Sequence, residues 1–528
     1  MQTNMKSLRG SYISSKKKLP PTMMKTKIVC TLGPASATEE VLEGMIKGGM
    51  DVVRLNFSHG THEEMRDLFQ RVRDISAKYA EQVSIICDIQ GPKIRTGKVV
   101  APFVLAVGDI IRVTPTEVIG TPDLIQIKYA TMLDDLDIGD QIFINDGIVK
   151  LTIKERVDDT FKCVVDAGGI ISDHKGCNIP SGNISLNVIT AKDQRDLKLI
   201  AELDPEYVAA SFIGTAEDVE KVRKCLAEYG NPKIKIISKV ERPVALKNLD
   251  AIIQASDAIM VARGDLGVEI PAWDVPQAQK DMVAKCNREG KPVIVATQML
   301  ESMTTSSRPT RAEANDVFNA VWDGADAVML SGETSIGKYP VEAVKIMDKI
   351  VEAAEKRMPK RNPDDFDSSR QGKIETIGHS CFTLAKEFGE INYTGKIIII
   401  DNDTFLTRMI TKYRPFLPML TFTQDLRTAR ELNLAWGIRS FYCPELSVIP
   451  SFERRAMAAI KEAAGLGMLV PEDHTIVVSQ STLIPGSGAF TGVYSVRKVL
   501  KAVDEVLAST GASSATCSTS ADPQTQPK

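Results

Sequence analysis

The segment Ile234–Pro243, IKIISKVERP, contains the residues that indicate both the fold and a polar site. Its isoleucines and valine are typical of a buried strand. Lys239 and Glu241 stand at the end of this strand, and residues two apart in a strand point to the same side. A cation and a carboxylate would therefore project together at the carboxyl end of the strand, which is where parallel α/β folds carry their chemistry.

Seven further β-branched runs accompany this strand at regular distances along the chain. They are Thr26–Thr31, Asp51–Asn56, Val83–Asp88, Tyr207–Ser211, Ala258–Ala262, Pro292–Thr297 and Ala327–Ser331. Helical patterns lie between most of them, at Glu39–Lys47, Glu63–Lys78, Asp193–Glu202, Ala216–Tyr229, Val275–Arg288 and Arg311–Trp322. Eight strands alternating with helices predict an α/β fold, a parallel (β/α)8 TIM barrel built from residues 25–91 and 188–358.

About 118 residues separate the third predicted strand from the fourth, far more than one helical connection needs. This interval holds alternating runs with Gly and Asp turns, such as DIIRVTP and FKCVVDAGG. We therefore predict an inserted all-β domain, a β-barrel, over residues 92–187. Because it follows the carboxyl end of a barrel strand, it would lie over the polar face and act as a lid.

A second α/β pattern begins beyond about residue 370. The strand-like runs GKIIII, LPMLTFT, IRSFYC, HTIVVSQ and TGVYSVRKV alternate with helical patterns at Glu375–Phe388, Thr404–Tyr413, Asp425–Leu434 and Phe452–Ala463. They predict a doubly wound C-terminal domain over residues 371–508, after the linker Pro359–Arg370. The Ser/Thr-rich tail, residues 509–528, is predicted to be disordered. Residues 1–24 indicate a basic arm, with a transit peptide as the alternative.

Bulk composition limits the classes of function. A length of 528 residues allows about three domains. The net charge of -3 gives no reason to expect nucleic acid or an acidic membrane surface as a partner. The nine cysteines are scattered and favour a reducing, cytoplasmic location over a disulfide framework or a zinc site. The sequence contains no run of 18 apolar residues, so no membrane span is predicted.

Polar residues stand at or just beyond the end of every predicted barrel strand. They are Thr31, Arg54, Asn56, Asp88, Ser211, Lys239, Glu241, Arg263, Asp265, Thr297, Ser331 and Glu333. One such residue would mean little, because strand ends meet water. Three cations together with at least three carboxylates, however, suit a polyanionic substrate and a divalent metal ion.

Glu241 and Asp265 are the candidate metal ligands. Two carboxylates without a neighbouring His or Cys suit Mg2+ or Mn2+, which prefer oxygen ligands and retain water. The alternative is that both carboxylates form ion pairs at the barrel rim with Arg242 and Arg263.

Arg54 and Lys239 would then face phosphoryl oxygens, and Ala262–Asp265 would open a short helix whose amides hold a carboxylate. This combination predicts phosphoryl transfer by positioning and charge neutralisation. The sequence has neither a Walker loop nor a kinase glycine loop, which excludes the two common kinase classes.

Over about residues 25–500 the chain closely resembles the pyruvate kinase family. The matching segments are TKIVCTLGPAS, MDVVRLNFSHG, GPKIRTG, IKIISKVE, MVARGDLGVEIP, KPVIVATQMLESM, PTRAEANDV and DGADAVMLSGETSIGKYPVEAV, in that order. The resemblance implies phosphoryl transfer from phosphoenolpyruvate to ADP, giving pyruvate and ATP. It also implies a homotetramer in which effectors of the C-terminal domain act by rotating subunits.

The resemblance also assigns roles to individual residues. Lys239 would stabilise the transferring phosphoryl group, and Arg54 would hold the phosphate. Glu241 and Asp265 would hold Mg2+, while Gly264, Asp265 and Thr297 would seat the substrate carboxylate, with Thr297 beside the carbon that takes up the proton. The nucleotide would contact Asn56, Phe57, Ser58, His59, Arg95 and, more weakly, Lys192. Asp146 of the lid would face the cleft.

The family's monovalent cation site differs here by one charged residue. The family places K+ among Asn56, Ser58, Asp88 and the main-chain carbonyl of Ile89. Potassium-dependent members usually read Asp-Thr-Lys-Gly-Pro-Glu from the aspartate onward, whereas this chain reads DIQGPK and ends on Lys93. An ammonium there would supply the positive charge and repel a bound K+. We predict activity without potassium; the alternative is that Lys93 points to solvent.

The effector loop of the C-terminal domain also differs from the family pattern. Members activated by fructose 1,6-bisphosphate carry a Thr/Ser/Gly-rich basic loop where this chain reads DNDTFL, at Asp401–Leu406. Two aspartates would repel a phosphate, so we do not expect this activation. A sugar monophosphate would use Thr404, Thr407 or Arg408 with the loop Pro485–Gly488.

Two rival functions remain at this stage. One is a catalytically silent paralogue that acts as a regulatory or binding protein, against which the intact Arg54, Lys239 and Thr297 argue. The other is a phosphoenolpyruvate-using barrel with a different acceptor, which the two additional domains disfavour. His62 shows no ligand spacing and is interpreted as a surface or core residue.

Overall fold

Eight parallel strands close into a barrel in the computed structural model, which describes residues 13, 16–17, 24–180, 184, 187–358, 373–391, 393–449, 451–480 and 489–509. The strands are Lys27–Thr31, Val52–Asn56, Ser84–Asp88, Tyr207–Ala210, Lys235–Val240, Ala258–Ala262, Val293–Ala296 and Ala327–Leu330. The first strand pairs with the eighth, and the third pairs directly with the fourth. Every predicted barrel strand is confirmed to within one residue at each end, because strands buried on both faces read as continuous apolar runs.

Most of the helices surround the barrel and pack on the outward-facing side of its strands, and short ones such as Arg263–Glu269 lie at its carboxyl end. The helices are Glu39–Lys47, His62–Ser76, Ala191–Leu203, Ala216–Glu228, Pro243–Lys247, Leu249–Ala255, Arg263–Glu269, Val275–Glu289, Arg311–Asp323, Gly332–Ser335 and Pro340–Glu355, with 3-10 turns at Pro34–Ser36 and Glu301–Thr304. Four helices begin after a threonine whose hydroxyl accepts a backbone N–H of the first turn: Thr38, Thr61, Thr190 and Thr310. These caps satisfy donors that have no partner inside the helix.

The insertion between the third and fourth barrel strands is all-β except for one short helix, Met132–Asp135. Its strands are Phe103–Leu105, Ile110–Thr114, Leu124–Gln126, Gln141–Ile144, Val149–Val157, Thr160–Ala167, Gly169–Ile171 and Cys177–Asn178. Six of them form one sheet, while the first and the seventh form a separate antiparallel pair. The predicted β composition is therefore present, in two sheets around a core of its own that includes Ile111, Leu151 and Cys163.

The C-terminal α/β domain contains a five-stranded sheet. Its strands, in spatial order, are Ile438–Tyr442, Met419–Thr423, Gly395–Ile400, His474–Gln480 and Ala489–Ser495. The first four are parallel and the last is antiparallel. Its helices are Lys373–Glu390, Phe405–Thr411, Leu426–Glu431, Phe452–Gly465 and Val496–Ser509, with 3-10 turns at Leu432–Leu434 and Pro444–Val448.

The run TGVYSVRKV does not form a single strand, so that part of the sequence prediction is wrong. The strand ends at Ser495 and a helix begins at Val496. Val496, Val499 and Val503 are buried at helical spacing against the sheet, and packing of this apolar face outweighs the β preference of valine.

The C-terminal domain seals the amino end of the barrel. Leu434 is fully buried in the cluster that fills that end, together with Val52 and Ile237. The Tyr207 hydroxyl donates to the Glu431 carbonyl oxygen over 2.8 Å. The polar strand ends lie at the opposite, carboxyl end, so the site and the C-terminal domain occupy opposite ends of the barrel.

Several predicted segments lie outside the described residues. They are the linker Pro359–Arg370, the loop Pro485–Gly488, the tail beyond residue 509 and most of the N-terminal arm. In the part of the chain that the structure does describe, no helix is both long enough and apolar enough to cross a membrane.

Candidate active site

Buried charges of alternating sign cross the carboxyl end of the barrel. The Arg54 Nε atom lies 2.7 Å from Asp88 Oδ2, and the Lys239 Nζ atom lies 3.5 Å from Asp88 Oδ1. Lys239 Nζ also lies 2.8 Å from Glu241 Oε1. Lys239 and Glu241 therefore project to the same side of their strand, as their spacing predicts.

The protonation states of this array follow from burial and from the neighbouring charges. Burial alone would lower the pKa of Lys239, but the carboxylates of Asp88 and Glu241 outweigh it and hold that pKa above its ordinary value. Burial alone would raise the pKa of Asp88, but Arg54 and Lys239 outweigh it and hold that pKa below its ordinary value. Lys239 and Asp88 are thus both charged near neutral pH.

Glu241 fits one ligand of a divalent cation. Its Oε2 atom accepts the backbone N–H of Phe212 over 2.7 Å, while its buried Oε1 atom makes no well-oriented hydrogen bond and faces only the Lys239 ammonium. Burial raises the pKa of Glu241, and the like charge of Asp265 adds to the shift although Lys239 opposes it. A divalent cation would favour the charged form of both carboxylates.

Asp265 supplies the second carboxylate from the first turn of the helix Arg263–Glu269. Among the described residues no group of three or more Asp, Glu, His or Cys side chains could hold a metal ion. Glu241 and Asp265 would contribute two ligands and leave the remaining positions to substrate oxygens and water, as Mg2+ and Mn2+ sites commonly do. The Arg263 guanidinium pairs with Asp316, at 2.8 Å. That pairing contradicts the alternative in which Arg263 neutralises Asp265 at the rim.

Thr297 is held in a strained conformation at the end of the seventh strand. Its φ angle is +70° and that of Gln298 is +53°, a region that side chains other than Gly seldom adopt. The Thr297 hydroxyl accepts the Gly264 N–H over 2.7 Å and donates to the Ala296 carbonyl over 2.6 Å. Arg263 fixes the turn by donating to the Thr297 carbonyl over 2.6 Å. Strain maintained in this way is typical of functional sites.

The predicted nucleotide residues form a loop after the second strand. The Asn56 side-chain oxygen accepts the Ser58 N–H over 3.1 Å, and His59 is exposed. The Phe57 side chain is buried in the barrel core, so only its main chain is able to meet a nucleotide. The Lys192 ammonium donates to the Phe57 carbonyl over 2.5 Å and so lies against this loop.

Arg95 is placed differently from the other predicted nucleotide residues. Its Nη1 atom donates to the carbonyl oxygen of His174, a residue of the insertion, over 3.0 Å. In this arrangement Arg95 is held within the insertion, and no hydrogen bond that the structure describes joins it to the Asn56–His59 loop.

The predicted potassium ligands already have protein partners. Asp88 is paired with two cations, the Ile89 carbonyl accepts the Ser211 hydroxyl over 2.8 Å, and the Asn56 oxygen accepts the Ser58 N–H. Lys93 is exposed, and its ammonium forms no ion pair with any residue that the structure describes. In this conformation Lys93 does not lie against Asp88.

The insertion contacts the helix that carries Asp265. The Asn178 side-chain amide donates to Glu269 Oε1 over 2.8 Å. A Cβ atom on Gly147 would lie 3.6 Å from the Val268 side chain, and the neighbouring Asp146 is exposed. The insertion therefore meets the barrel at the end of the short helix Arg263–Glu269.

The three predicted effector residues lie within one helical turn of one another and have different surroundings. The Thr407 hydroxyl donates to the buried Asp401 carboxylate over 2.6 Å, and burial raises the pKa of Asp401 to about 6. Thr404 has a φ angle of +70° and precedes the helix Phe405–Thr411. Arg408 instead lines a small cleft against the barrel, together with Lys291 and Arg414.

The sequence analysis assigned no functional role to four residues that lie near the site. Ser211 accepts the Lys239 ammonium over 2.7 Å, and Glu269 holds the insertion. Asp196 and His62 lie 2.7 Å apart beside Lys192. Ser211 stands at a strand end and was detectable there, and the spacing of Lys192 and Asp196 on one helix also suggests their pairing. The contacts of His62 with Asp196 and of Glu269 with Asn178 join distant parts of the sequence, which spacing does not reveal.

The barrel, the β insertion and the charged carboxyl face together are those of a (β/α)8 phosphotransferase. Two family models match the chain, "Pyruvate kinase, barrel domain" over residues 23–344 and "Pyruvate kinase, alpha/beta domain" over residues 375–509. The chain belongs to the pyruvate kinase family, which confirms the resemblance found in the sequence.

Curated relatives agree with this assignment over most of their length. A pyruvate kinase of Bacillus licheniformis is 41% identical over 425 residues, which span 79% of this chain and 71% of the relative. A pyruvate kinase of Staphylococcus aureus (strain MRSA252) is 39% identical over 421 residues with the same coverage. That of Geobacillus stearothermophilus is 38% identical over 459 residues, spanning 86% of this chain and 77% of the relative.

Proposed function

We propose that this chain transfers the phosphoryl group of phosphoenolpyruvate to ADP, with Mg2+ or Mn2+ as cofactor. The observation that carries the proposal is the buried Lys239 ammonium between Asp88 and Glu241. In the reaction the enol C–O–P linkage loses its O–P bond, and an oxygen of the ADP β-phosphate forms the new bond to phosphorus. The resulting enolate then takes one proton at its methylene carbon to give pyruvate.

Lys239 and Arg54 would neutralise the negative charge of the transferring phosphoryl group. The Lys239 ammonium stays protonated because its pKa is raised, so it neutralises the phosphoryl oxygens without giving up a proton. The Arg54 Nη1 atom donates to Thr31 and Nε to Asp88, which fixes the plane of the guanidinium. Such preorganised charges cost no reorganisation when the phosphoryl group transfers.

Gly264 and Thr297 would orient the other end of phosphoenolpyruvate. A Cβ atom on Gly264 would lie 3.4 Å from the Thr297 hydroxyl oxygen, so residue 264 and Thr297 are in direct contact. The Thr297 hydroxyl, held between Gly264 and Ala296, would position the water that protonates the methylene carbon. When bound between Glu241 and Asp265, the divalent cation would neutralise substrate oxygens.

The test is pyruvate formation from phosphoenolpyruvate, ADP and Mg2+. Replacing Lys239 by Met should reduce turnover at least about 1000-fold, because the charge is buried beside the transferring group. Lys235→Met, on the same strand but in contact with Asp257 outside the site, is the matched control. Tight phosphoenolpyruvate binding without pyruvate would instead favour a silent paralogue or a barrel with another acceptor.

Independence from potassium is part of the proposal and rests on two observations. The oxygens that would bind K+ are engaged by protein donors, and the sequence carries a lysine at position 93, close to Asp88 and Ile89 along the chain. Because Lys93 is exposed here, its ammonium would have to move toward Asp88 in the working enzyme to take the place of K+. Wild-type protein should reach full rate in tetramethylammonium buffer, whereas Lys93→Glu should need added potassium. Lys98→Glu, also exposed, is the control, and a strong potassium requirement in wild type would contradict the proposal.

The remaining proposals concern regulation, assembly and location. Because the Thr407 hydroxyl donates to Asp401, we do not expect fructose 1,6-bisphosphate to activate the enzyme. A shift of the phosphoenolpyruvate saturation curve at micromolar fructose 1,6-bisphosphate would contradict this. Family membership supports a homotetramer, which sedimentation would test. The eight described cysteines are free thiols, which supports a cytoplasmic location.

A further inference from the structure

A buried carboxylate anchors two half-exposed polar groups beside the Asn56–His59 loop. Asp196 is only 2% exposed. Its Oδ2 atom lies 2.6 Å from Lys192 Nζ, and its Oδ1 atom lies 2.7 Å from His62 Nε2. The Lys192 and His62 side chains are 40% and 48% exposed.

The two groups come from different helices and are brought together only by the fold. His62 opens the helix His62–Ser76, and Asp196 lies in the second turn of Ala191–Leu203. Because an ionised carboxylate only accepts hydrogen bonds, the hydrogen of the His62–Asp196 contact lies on Nε2. The His62 imidazole thereby fixes the Asp196 carboxylate from one side, and the Nδ1 atom of the neutral ring is left as a hydrogen-bond acceptor.

Lys192 is held from two sides and retains one donor. Its ammonium gives one N–H to Asp196 and one to the Phe57 carbonyl, at 2.6 and 2.5 Å. An ammonium has three N–H donors, and the third finds no partner among the residues that the structure describes. A flexible lysine is thus fixed in position, with one donor available beside the loop.

We propose that Asp196 is a positioning residue for the acceptor: it is fixed by His62 on one side and holds the Lys192 ammonium toward the phosphates of a nucleoside diphosphate. This inference rests on the proposed function and extends it, because it assigns the recognition of the polyphosphate to a three-residue cluster. Charge-assisted hydrogen bonds from a fixed ammonium are stronger and more specific than those from a free side chain. The buried acid therefore contributes to nucleotide affinity without touching the nucleotide.

The test is a double-mutant cycle on ADP affinity. Asp196→Asn and Lys192→Gln should each raise KM for ADP about 10-fold, with kcat and KM for phosphoenolpyruvate changed less than about 3-fold. The double variant should be no worse than Lys192→Gln alone, because Asp196 acts through Lys192. A purely structural role would instead multiply the two effects to about 100-fold, which would overturn the inference.

KM for ADP in two further variants tests the inference independently of Asp196→Asn. His62→Asn, a half-exposed substitution, tests the cluster even where Asp196→Asn fails to fold, and it should raise KM for ADP about 3-fold. Lys198→Met, an exposed lysine on the same helix, is the matched control and should leave KM unchanged. Unchanged ADP affinity in His62→Asn and Lys192→Gln would overturn the inference.

Calorimetric titration with ADP and with adenosine separates this inference from the proposed function. If wild type binds ADP but forms no pyruvate, the proposed function fails, and weaker ADP binding by Lys192→Gln still supports the cluster. Weakening of adenosine binding by the same factor as ADP binding would contradict a role in phosphate recognition.

Discussion

At the scale of single residues, the site depends on side chains whose geometry is fixed by neighbours outside it. Thr297 keeps its left-handed backbone because Arg263, paired with Asp316, holds its carbonyl oxygen. Lys239 keeps its charge because carboxylates lie on both sides. These residues could be identified from the sequence because they stand at strand ends. The strain at Thr297 could not be predicted, because it depends on contacts with residues more than 15 positions away.

Thr297 gives a prediction about the hydroxyl itself. Thr297→Val keeps the branched shape but leaves the Gly264 N–H without its acceptor, so kcat/KM for phosphoenolpyruvate should fall about 100-fold. Thr297→Ser keeps the hydroxyl and should lose less than about 10-fold. Steady-state kinetics with equal thermal stability of the two variants checks this; equal activity in both would mean that the hydroxyl has no role.

At the scale of elements, the sequence predicted best the strands whose two faces are both buried. Strands buried on both faces were located to within one residue, since nothing competes with their continuous apolar pattern. The last strand of the C-terminal sheet was merged with the following helix, because TGVYSVRKV contains valines suited to either structure. His62, interpreted as a surface or core residue, contacts Asp196 from 134 positions away, and no local pattern reports a contact of that kind.

The contact between the insertion and the helix Arg263–Glu269 gives a prediction about the lid. Asn178→Asp would face Glu269 with a like charge in place of a hydrogen bond, so we expect KM for both substrates to rise about 5-fold with a smaller change in kcat. Adding Glu269→Gln supplies a donor to the new carboxylate and should restore most of the loss. Absence of rescue in the double variant would exclude this contact as a lid latch.

At the scale of the whole molecule, the interface between barrel and C-terminal domain contains a titratable group. Burial raises the pKa of Glu431 to about 7, with Glu206 adding to the shift and Lys235 and Arg427 opposing it. The Arg427 Nε atom lies 2.9 Å from the carboxylate. Since the folded-state pKa exceeds the ordinary value, the associated stability is complete below about pH 4.5 and is lost as the pH rises through about 7.

Glu431→Gln should therefore flatten the dependence of stability on pH. The wild-type unfolding temperature should fall between about pH 5 and 8 relative to this variant. The corresponding loss in the free energy of unfolding is at most about 3 kcal/mol. Glu472→Gln, in an exposed pair with Arg497, is the control and should retain the wild-type profile. Parallel profiles for wild type and Glu431→Gln would show that Glu431 titrates alike in the folded and unfolded states.

Closure of the barrel between its first and last strands sets an order of events during synthesis. Lys27 pairs with Ala327, so the nascent chain is unable to close the barrel before some 300 further residues have been translated. At roughly 5–20 residues per second, the first strand waits roughly 15–60 s with one edge unpaired. Leu434, which seals the amino end, emerges later still. Ribosome-bound chains of this protein thus present open strand edges for most of translation, which is the period in which these edges are able to pair with another chain.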